Sequence, residues 1–416
     1  MNVWFRRSLA ALALCATPLA WAGYFQWDMV ELPPESGASC GDGSPYRFFV
    51  NRTPLNNHLA IVYEGGGACW DQKACLGEGR LGATNPNGVP PDYMQSVNVA
   101  FGLVTPFNAR NSPQAVSTQS WNMVFLPYCT GDVHSGSKVT VYDDAYPDNP
   151  RVQHHAGQAN VRAAAQWLRD NLGQPGELLL TGYSAGGVGS TTTYAMVRET
   201  LQPTGRSTLL ADSGPLVPAP RGSAPEDFPA IKLHDTIRVV WGLDEPGGLI
   251  TQYAGLIDGF DPDNLGSVNV ALARTYPQDR FGFMVFTRDT NFSAFSYEKF
   301  YTDISDAPNP VAYREALFSR WWPDLDRWAA DLATQPNVDL YVPYFRNFNQ
   351  SHCLTIIDFS GTAIEWAGVD SFGTFAENAM ARGPQVQLVE GQNNADFTQP
   401  LSPFMRLVKL LLKVIG

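Results

Sequence analysis

The chain has 416 residues, of which 44% are hydrophobic, so it is long enough to bury a large core. Its formal net charge of −12 makes it a poor candidate for binding nucleic acid or an anionic membrane surface. No internal repeat or low-complexity linker divides the chain, and we expect one α/β domain over residues 23–416.

The first 22 residues have the pattern of a cleavable secretory leader. Arg6 and Arg7 give a positive start, residues 8–19 are mostly apolar, and residues 20–22 read Ala-Trp-Ala. We expect cleavage after Ala22, which leaves a secreted or periplasmic chain with a net charge of −14 because two arginines are lost. The apolar stretch is too short to span a bilayer, so no transmembrane segment is expected.

Five cysteines follow the leader: Cys40, Cys69, Cys75, Cys129 and Cys353. In an oxidising compartment, two disulfides and one free thiol are the simplest arrangement. Cys69 and Cys75 close a short loop and are the expected pair. The pairing of the other three stays open at this point.

An N-terminal arm and two strands are predicted first. Residues 24–46 are interpreted as an arm that leads into the core, whereas residues 46–50 and 59–63 alternate or run apolar, as strands do. Three consecutive glycines, at residues 65–67, follow the second strand. Such a sequence is either a tight turn or a stretch of backbone that leaves room for a ligand.

The middle of the chain leads to a second pair of strands. Residues 76–118 are rich in Gly, Pro and Asn and are predicted to form a long surface excursion. Residues 122–127 are a predicted strand, followed by a polar segment over residues 128–136. A helix is predicted over residues 156–171, before an apolar strand that begins at Leu178.

That strand stops on Gly-Tyr-Ser-Ala-Gly, which fits the G-x-S-x-G pattern between a strand and a helix. The turn is tight, so the absence of side chains at Gly182 and Gly186 avoids a collision and leaves the hydroxyl of Ser184 exposed. The helix predicted over residues 188–198 would direct its N-terminal dipole at developing negative charge. We therefore predict that Ser184 is a nucleophile.

Two later strands each lead to an acidic residue. Residues 208–212 end on Asp212, and residues 280–288 are followed by Asp289. Between these strands, residues 216–277 contain many Pro and Gly residues and are predicted to form an irregular lid over the site.

The last third of the chain contains two predicted helices and a strand. Residues 311–332 are amphipathic and helical, with a break or kink expected at Pro323, and residues 338–344 form the last core strand. Residues 404–415 form a short basic helix that we expect to dock on the domain. The alternation of strands and helices indicates a mostly parallel sheet with helices on both faces.

A serine hydroxyl needs a base, and the base needs an acid that orients it. In this architecture the chain order is serine, acid, histidine. His352 lies in a loop after the last core strand and is the predicted base, whereas His234 lies in the irregular segment and is predicted to be structural. Asp289 is favoured as the acid, and Asp212 is the alternative.

Backbone groups complete the predicted site. The N–H groups of Gly66, Gly67 and Ala185 are expected to form the oxyanion hole. No H-E-x-x-H motif is present, adjacent His154 and His155 cannot point the same way, and the glycine run lacks a phosphate-binding Lys-Ser/Thr. We therefore expect neither a metal nor a cofactor.

Four segments in order give a more specific signal. They read EGGGACW over residues 64–70, PYCTGDVHSG over 127–136, GYSAGGVG over 182–189 and LADSG over 210–214. Together they resemble the pectin acetylesterase/Notum family of secreted serine hydrolases. The resemblance implies an α/β-hydrolase fold, a Ser–Asp–His triad without a cofactor, and deacylation of carboxylic esters.

At matching positions the resemblance supports Ser184 and His352, favours Asp289 over Asp212, and supports a disulfide between Cys69 and Cys75. The expected function is a secreted carboxylesterase that deacetylates an acylated polysaccharide, pectin-like by resemblance, and acts as a monomer. Alternatives are an esterase for a small ester, a lipid acyl group or a polyester, a protease or amidase with the same triad, and a catalytically inert binding protein.

Overall fold

The structure is a computed structural model that describes residues 23–95 and 105–415. The predicted leader and its cleavage site therefore lie outside the described residues. No helix in the described part of the chain is long and apolar enough to cross a membrane.

The strands follow one another along the described chain as short segments of three to six residues. They are β1 (Trp27–Glu31), β2 (Arg47–Asn51), β3 (Leu59–Tyr63), β4 (Asn122–Leu126), β5 (Lys138–Tyr142), β6 (Arg151–His155), β7 (Leu178–Tyr183), β8 (Ser207–Asp212), β9 (Arg280–Met284), β10 (Val338–Val342) and β11 (Gln387–Val389).

Within the described residues, nine strands form one sheet in the order β1-β2-β4-β3-β7-β8-β9-β10-β11, and β5 pairs with β6 separately. From β4 to β11 all neighbouring strands are parallel, whereas β1, β2 and β4 pair antiparallel. The central strands are buried along their whole length, which explains their continuous apolar runs. Parallel strands end at one edge, so the loops after β3, β7, β8 and β10 meet there.

The helices lie mostly between these strands. They are α1 (Gln72–Cys75), α2 (Gly157–Leu172), α3 (Ala185–Thr192), α4 (Tyr194–Leu201), α5 (Ile231–Val240), α6 (Leu249–Leu256), α7 (Val268–Thr275), α8 (Thr290–Tyr297), α9 (Thr302–Ser305), α10 (Pro310–Ala333), α11 (Phe372–Met380) and α12 (Pro403–Ile415). Among them, α3 packs against β3, β7 and β8, while α10 and α11 pack against β10.

Several predicted elements differ from those in the structure. The N-terminal arm contains strand β1, which extends the sheet at its antiparallel edge. The strand predicted over residues 280–288 ends at Met284, although the next two residues are still buried. Of the break or kink expected at Pro323, the break is absent, because α10 continues through it and Ser319, whose carbonyl Pro323 leaves unpaired, lies on the exposed side of the helix.

The segment over residues 216–277 is not irregular, since it forms α5, α6 and α7. Trp241 follows α5, is fully buried and donates from Nε1 to the carbonyl oxygen of Cys69 at 2.8 Å. The segment therefore packs against the loop after β3, and its assignment as a lid stays a prediction.

Two disulfides join the loops around the parallel edge. Cys69 and Cys75 form the expected short bridge, and Cys40 pairs with Cys129, which the sequence left open. Cys353 is buried and is not part of a disulfide. The count of two bridges and one thiol matches the expectation, and it fits folding in an oxidising compartment.

Candidate active site

Ser184 lies at the turn between β7 and α3 in a strained backbone conformation. Its φ and ψ are 57° and −123°, a combination that few residues other than glycine adopt. Its N–H donates to the carbonyl oxygen of Asp212 at 2.9 Å, which ties the turn to the end of β8. The surrounding structure thus holds the serine in a conformation that the isolated chain would avoid.

Gly182 and Gly186, two residues before and after Ser184, lie too close to neighbouring backbone atoms to carry a side chain. A Cβ atom added to Gly182 would lie 2.2 Å from the carbonyl oxygen of Gly186. A Cβ atom added to Gly186 would lie 2.2 Å from the carbonyl oxygen of Tyr63. Since β3 is the sheet neighbour of β7, the turn can close only where both side chains are absent.

His352 and Asp289 are hydrogen bonded although 63 residues separate them. The Nδ1 atom of His352 lies 2.7 Å from Oδ2 of Asp289, and the other carboxylate oxygen accepts the amide of Phe292 at 2.8 Å. Because a carboxylate only accepts, Nδ1 carries the proton and Nε2 is left as the acceptor. Asp289 is fully buried, which holds the imidazole in one orientation.

The pKa of His352 reflects two opposed effects. Burial disfavours the imidazolium and lowers the pKa, whereas the charge of Asp289, its hydrogen bond and, to a smaller extent, the charge of Asp212 raise it. The contributions that raise the pKa together exceed the effect of burial, so the pKa of His352 lies above its ordinary value. The acid therefore makes the histidine a stronger base.

Asp212, the alternative acid, accepts its hydrogen bonds from the loop that follows the histidine and not from the imidazole. Its Oδ1 accepts the amide of Leu354 at 3.0 Å, and its Oδ2 accepts the amide and the hydroxyl of Thr355, each at 2.8 Å. The hydroxyl of Ser213 also donates to Oδ1 at 2.9 Å. The geometry thus favours Asp289 as the orienting acid.

The loop that carries the histidine is strained and tightly held. Four of the five residues from 349 to 353 have positive φ values between 45° and 65°, and His352 is the exception. The fully buried guanidinium of Arg346 donates to the carbonyl oxygens of Cys353, at 3.1 Å, and Ser360, at 2.9 Å. Sequence reasoning missed Arg346, because its partners follow no local pattern.

A cavity of about 230 Å³ joins the predicted residues at the parallel edge of the sheet. Ser184, His352, Gly66, Gly67 and Ala185 all line it. Among described residues, no hydrogen bond uses the amide nitrogen of either glycine or of Ala185 as donor. These three N–H groups are therefore available to an oxygen placed beside the serine.

The remaining wall of the cavity is mainly apolar. Arg80 is the one charged residue among its described lining residues, and it is paired with Glu298 at 2.7 Å. The polar residues Asn291 and Asn349 lie on the same wall. The apolar contribution comes from Leu81, Val133, Phe292, Phe295 and Ile356.

Other histidines lie away from the cavity. His234 is buried in α5, and burial lowers its pKa to about 3, which fits the structural role predicted for it. His155 groups with Cys69 and Cys75 in an arrangement that could suit a metal. Both sulfurs are joined in a disulfide, however, and the ring nitrogens of His155 already have hydrogen-bond partners.

Comparisons with known proteins agree on the fold. The structure superposes on the Wnt deacylase Notum from Drosophila with a TM-score of 0.53 and 16% identity, over 89% of this chain and 99% of that one. A second crystal form of the same protein gives a TM-score of 0.53 with 17% identity, over 90% and 98% of the two chains. The protein has an α/β-hydrolase fold.

Sequence comparisons add the family. Residues 22–232 match the Pectinacetylesterase family, and the chain belongs to it. The palmitoleoyl-protein carboxylesterase NOTUM from mouse is 27% identical over 188 aligned residues, and the alignment covers 43% of this chain and 34% of that one. The human protein gives the same figures. The aligned part thus spans about a third of these relatives.

A relative with a different name is also similar. The inactive palmitoleoyl-protein carboxylesterase notum1b of Danio rerio is 26% identical over 113 residues, which cover 26% of this chain and 73% of that one. Likeness to this group therefore does not by itself decide whether a chain is active.

The close approach at Gly186 leads to a stability prediction. We expect Gly186→Ala to lower the free energy of unfolding by about 2–3 kcal/mol, because the added methyl group forces the backbone of Tyr63 to move. Urea unfolding measures the change. As a control, Gly255→Ala adds a methyl group in open space on α6 and should raise stability by about 0.5 kcal/mol. Equal effects of the two substitutions would contradict this account.

Proposed function

We propose that the protein is a secreted serine carboxylesterase that uses Ser184, His352 and Asp289. One observation carries the proposal: the hydrogen-bonded pair of Asp289 and His352 and the strained Ser184 meet at one cavity. A histidine with Nδ1 bound to a buried carboxylate is prepared to accept a proton at Nε2.

The proposed reaction has two stages. Oγ of Ser184 attacks the ester carbonyl carbon while its proton passes to Nε2 of His352. The tetrahedral intermediate then collapses, the alcohol leaves with that proton, and the acyl group stays on Ser184. A water molecule attacks the acyl-enzyme with His352 again as the base, and the carboxylic acid is released.

Backbone amides of three residues that line the cavity supply the oxyanion hole in this proposal. The N–H groups of Gly66, Gly67 and Ala185 stabilise the negative oxygen of each tetrahedral intermediate. Removal of one such donor typically costs about 10²–10³-fold in turnover. Ala185 is also the first residue of α3, so the helix dipole adds to its effect.

We propose that the substrate is an acylated polysaccharide and that the protein removes its acetyl groups, the reaction for which the Pectinacetylesterase family is named. One observation favours a second candidate, an ester with a longer acyl chain. The cavity is several times larger than an acetyl group needs, and Leu81, Phe292 and Phe295 line it. The similar proteins named as palmitoleoyl-protein carboxylesterases are consistent with that alternative.

The proposal includes the location and state of the protein. We propose cleavage after Ala22, export to the periplasm or the exterior, and action as a monomer on an acylated carbohydrate or another ester. Two disulfides support an oxidising compartment. No cofactor or metal enters the proposed reaction.

The first test is hydrolysis of p-nitrophenyl acetate, butyrate and octanoate by the wild type and Ser184→Ala. We expect turnover that the substitution reduces by about 10⁴-fold or more, because the nucleophile is lost. A preference for acetate supports the deacetylase, and a preference for octanoate supports the longer acyl ester. Equal turnover of the two proteins would refute the role of Ser184.

Replacing each candidate acid by asparagine distinguishes the two assignments. We expect Asp289→Asn to reduce kcat by about 10³–10⁴-fold, because the imidazole loses its orienting charge. Asp212→Asn should cost only about 10–10²-fold, through displacement of the loop after His352. Thermal unfolding shows whether each variant folds. A larger loss in the Asp212 variant would reverse the assignment.

The raised pKa of His352 predicts the pH profile. Only the neutral imidazole accepts the proton, so kcat/KM should fall as pH drops through that pKa, with a midpoint above about 6.5. In Asp289→Asn the larger of the two charges that raise the pKa is absent while Asp212 remains, so the midpoint should move to lower pH. A wild-type midpoint well below 6.5 would contradict the proposed pair.

A further inference from the structure

A buried carboxylate lies directly before the glycine loop and takes no part in the proposed chemistry. Glu64 follows β3 and is fully buried. Its Oε1 accepts the hydroxyl of Tyr93 at 2.6 Å, and its Oε2 accepts the amide of Tyr128 at 2.8 Å. The side chain thus connects the end of β3 to the segment after β4 and to the surface excursion.

The backbone of Glu64 is held equally firmly. Its N–H donates to the carbonyl oxygen of Leu126 at 3.0 Å. Its carbonyl oxygen lies 2.9 Å from Nε2 of His134, which must donate because a carbonyl oxygen only accepts. Every polar group of Glu64 therefore has a partner, immediately before the three glycines that line the cavity.

These contacts control where the loop amides point. In a trans peptide the C=O and the N–H lie on opposite sides, so fixing one fixes the other. The amide of Thr84 donates to the carbonyl oxygen of Gly66 at 2.9 Å, which sets the direction of the N–H of Gly67. The bond from His134 to the carbonyl oxygen of Glu64 sets the direction of the N–H of Gly65 in the same way, so Glu64 fixes the backbone at the beginning of the loop that continues to Gly66 and Gly67.

The segment that contains Thr84 also contacts both hydrogen-bond partners of the Glu64 side chain. Asn85, next to Thr84, donates from Nδ2 to the hydroxyl oxygen of Tyr93 at 2.9 Å and to the carbonyl oxygen of Tyr128 at 2.8 Å. Because Tyr93 accepts this bond, its own proton is free to go to Glu64. A carboxylate accepts from both Tyr93 and Tyr128, whereas an amide of the same shape has one acceptor oxygen and would leave one donor unpaired.

Burial raises the pKa of Glu64, whereas the hydrogen bonds from Tyr93 and Tyr128 lower it and favour the carboxylate, because only the ionised form accepts at both oxygens. The cavity itself has no acidic lining residue among those described. A buried acid behind the glycine loop, rather than an apolar residue, therefore requires a reason beyond packing.

We propose that Glu64 is a positioning residue that directs the amides of Gly66 and Gly67 at the oxyanion. The inference rests on the proposed function, since it assigns a role within the same site. Glu64 acts only through the loop and does not line the cavity. Its effect should therefore appear in the transition state and not in substrate binding.

The test is Glu64→Gln, assayed with p-nitrophenyl acetate. We expect kcat to fall by about 10–10²-fold with KM within about twofold of the wild type, because a misdirected donor loses part of its effect. Inhibition by butylboronic acid should weaken by a similar factor, since its adduct with Oγ of Ser184 places an oxygen in the same hole. The acid limb of the pH profile, which reports His352, should stay in place.

Glu390→Gln is the matched control. Glu390 is also a buried glutamate, and it accepts the amide of Tyr344 at 2.9 Å, but it does not line the cavity. Its substitution should leave kcat and boronate inhibition unchanged. Tyr93→Phe removes one donor to Glu64 while keeping the ring, and it should lower kcat in the same direction. This variant decides the question if Glu64→Gln does not fold.

The outcomes separate the two proposals. Unchanged kcat in Glu64→Gln, beside an inactive Ser184→Ala, would overturn the role of Glu64 and leave the esterase proposal intact. A loss in Glu64→Gln that Glu390→Gln matches, or that falls on KM alone, would show a merely structural role. Turnover that survives Ser184→Ala would overturn the proposed function and the role of Glu64 with it.

Discussion

The backbone and the side chain of Asp212 hold the two halves of the candidate site together. Its carbonyl oxygen accepts the amide of Ser184, and its carboxylate accepts the amides of Leu354 and Thr355. Because β8 is the neighbour of β7 in the sheet, one residue at its end reaches both the serine turn and the histidine loop. The distance between the serine turn and the histidine loop thus depends on the buried carboxylate of Asp212, which does not take part in the proposed reaction.

Around that link, the strained backbone is concentrated in two places. Ser184 and the loop from residue 349 to 353 both contain non-glycine residues with positive φ, and both line the cavity. Such conformations persist only where the surroundings determine them. At Ser184, the close contacts of Gly182 and Gly186 with the neighbouring backbone supply this constraint. At the loop from residue 349 to 353, the buried guanidinium of Arg346 supplies it.

Most of the core could be predicted because fully buried parallel strands are continuous apolar runs, as at Leu59–Tyr63 and Leu178–Tyr183. Chain order indicated Ser184, His352 and Asp289 as candidates, and the structure places His352 in a hydrogen bond with Asp289 and at the same cavity as Ser184. The helices between residues 216 and 277 were missed, since the glycines and prolines that separate them dominate the local pattern. Long-range partners, such as those of Asp212, leave no local trace in a sequence and so could not be predicted.

The order of the segments along the chain has a consequence for biosynthesis. Ser184 and the glycine loop belong to the first half of the chain, while Asp289 and His352 come from β9 and β10 onward. A chain is made from its N-terminus, and its early parts can fold first. On the proposed roles, a nascent chain would carry the serine without its base, and hydrolytic competence would arrive with the final third. The order of the elements alone would therefore delay activity until most of the chain has been made.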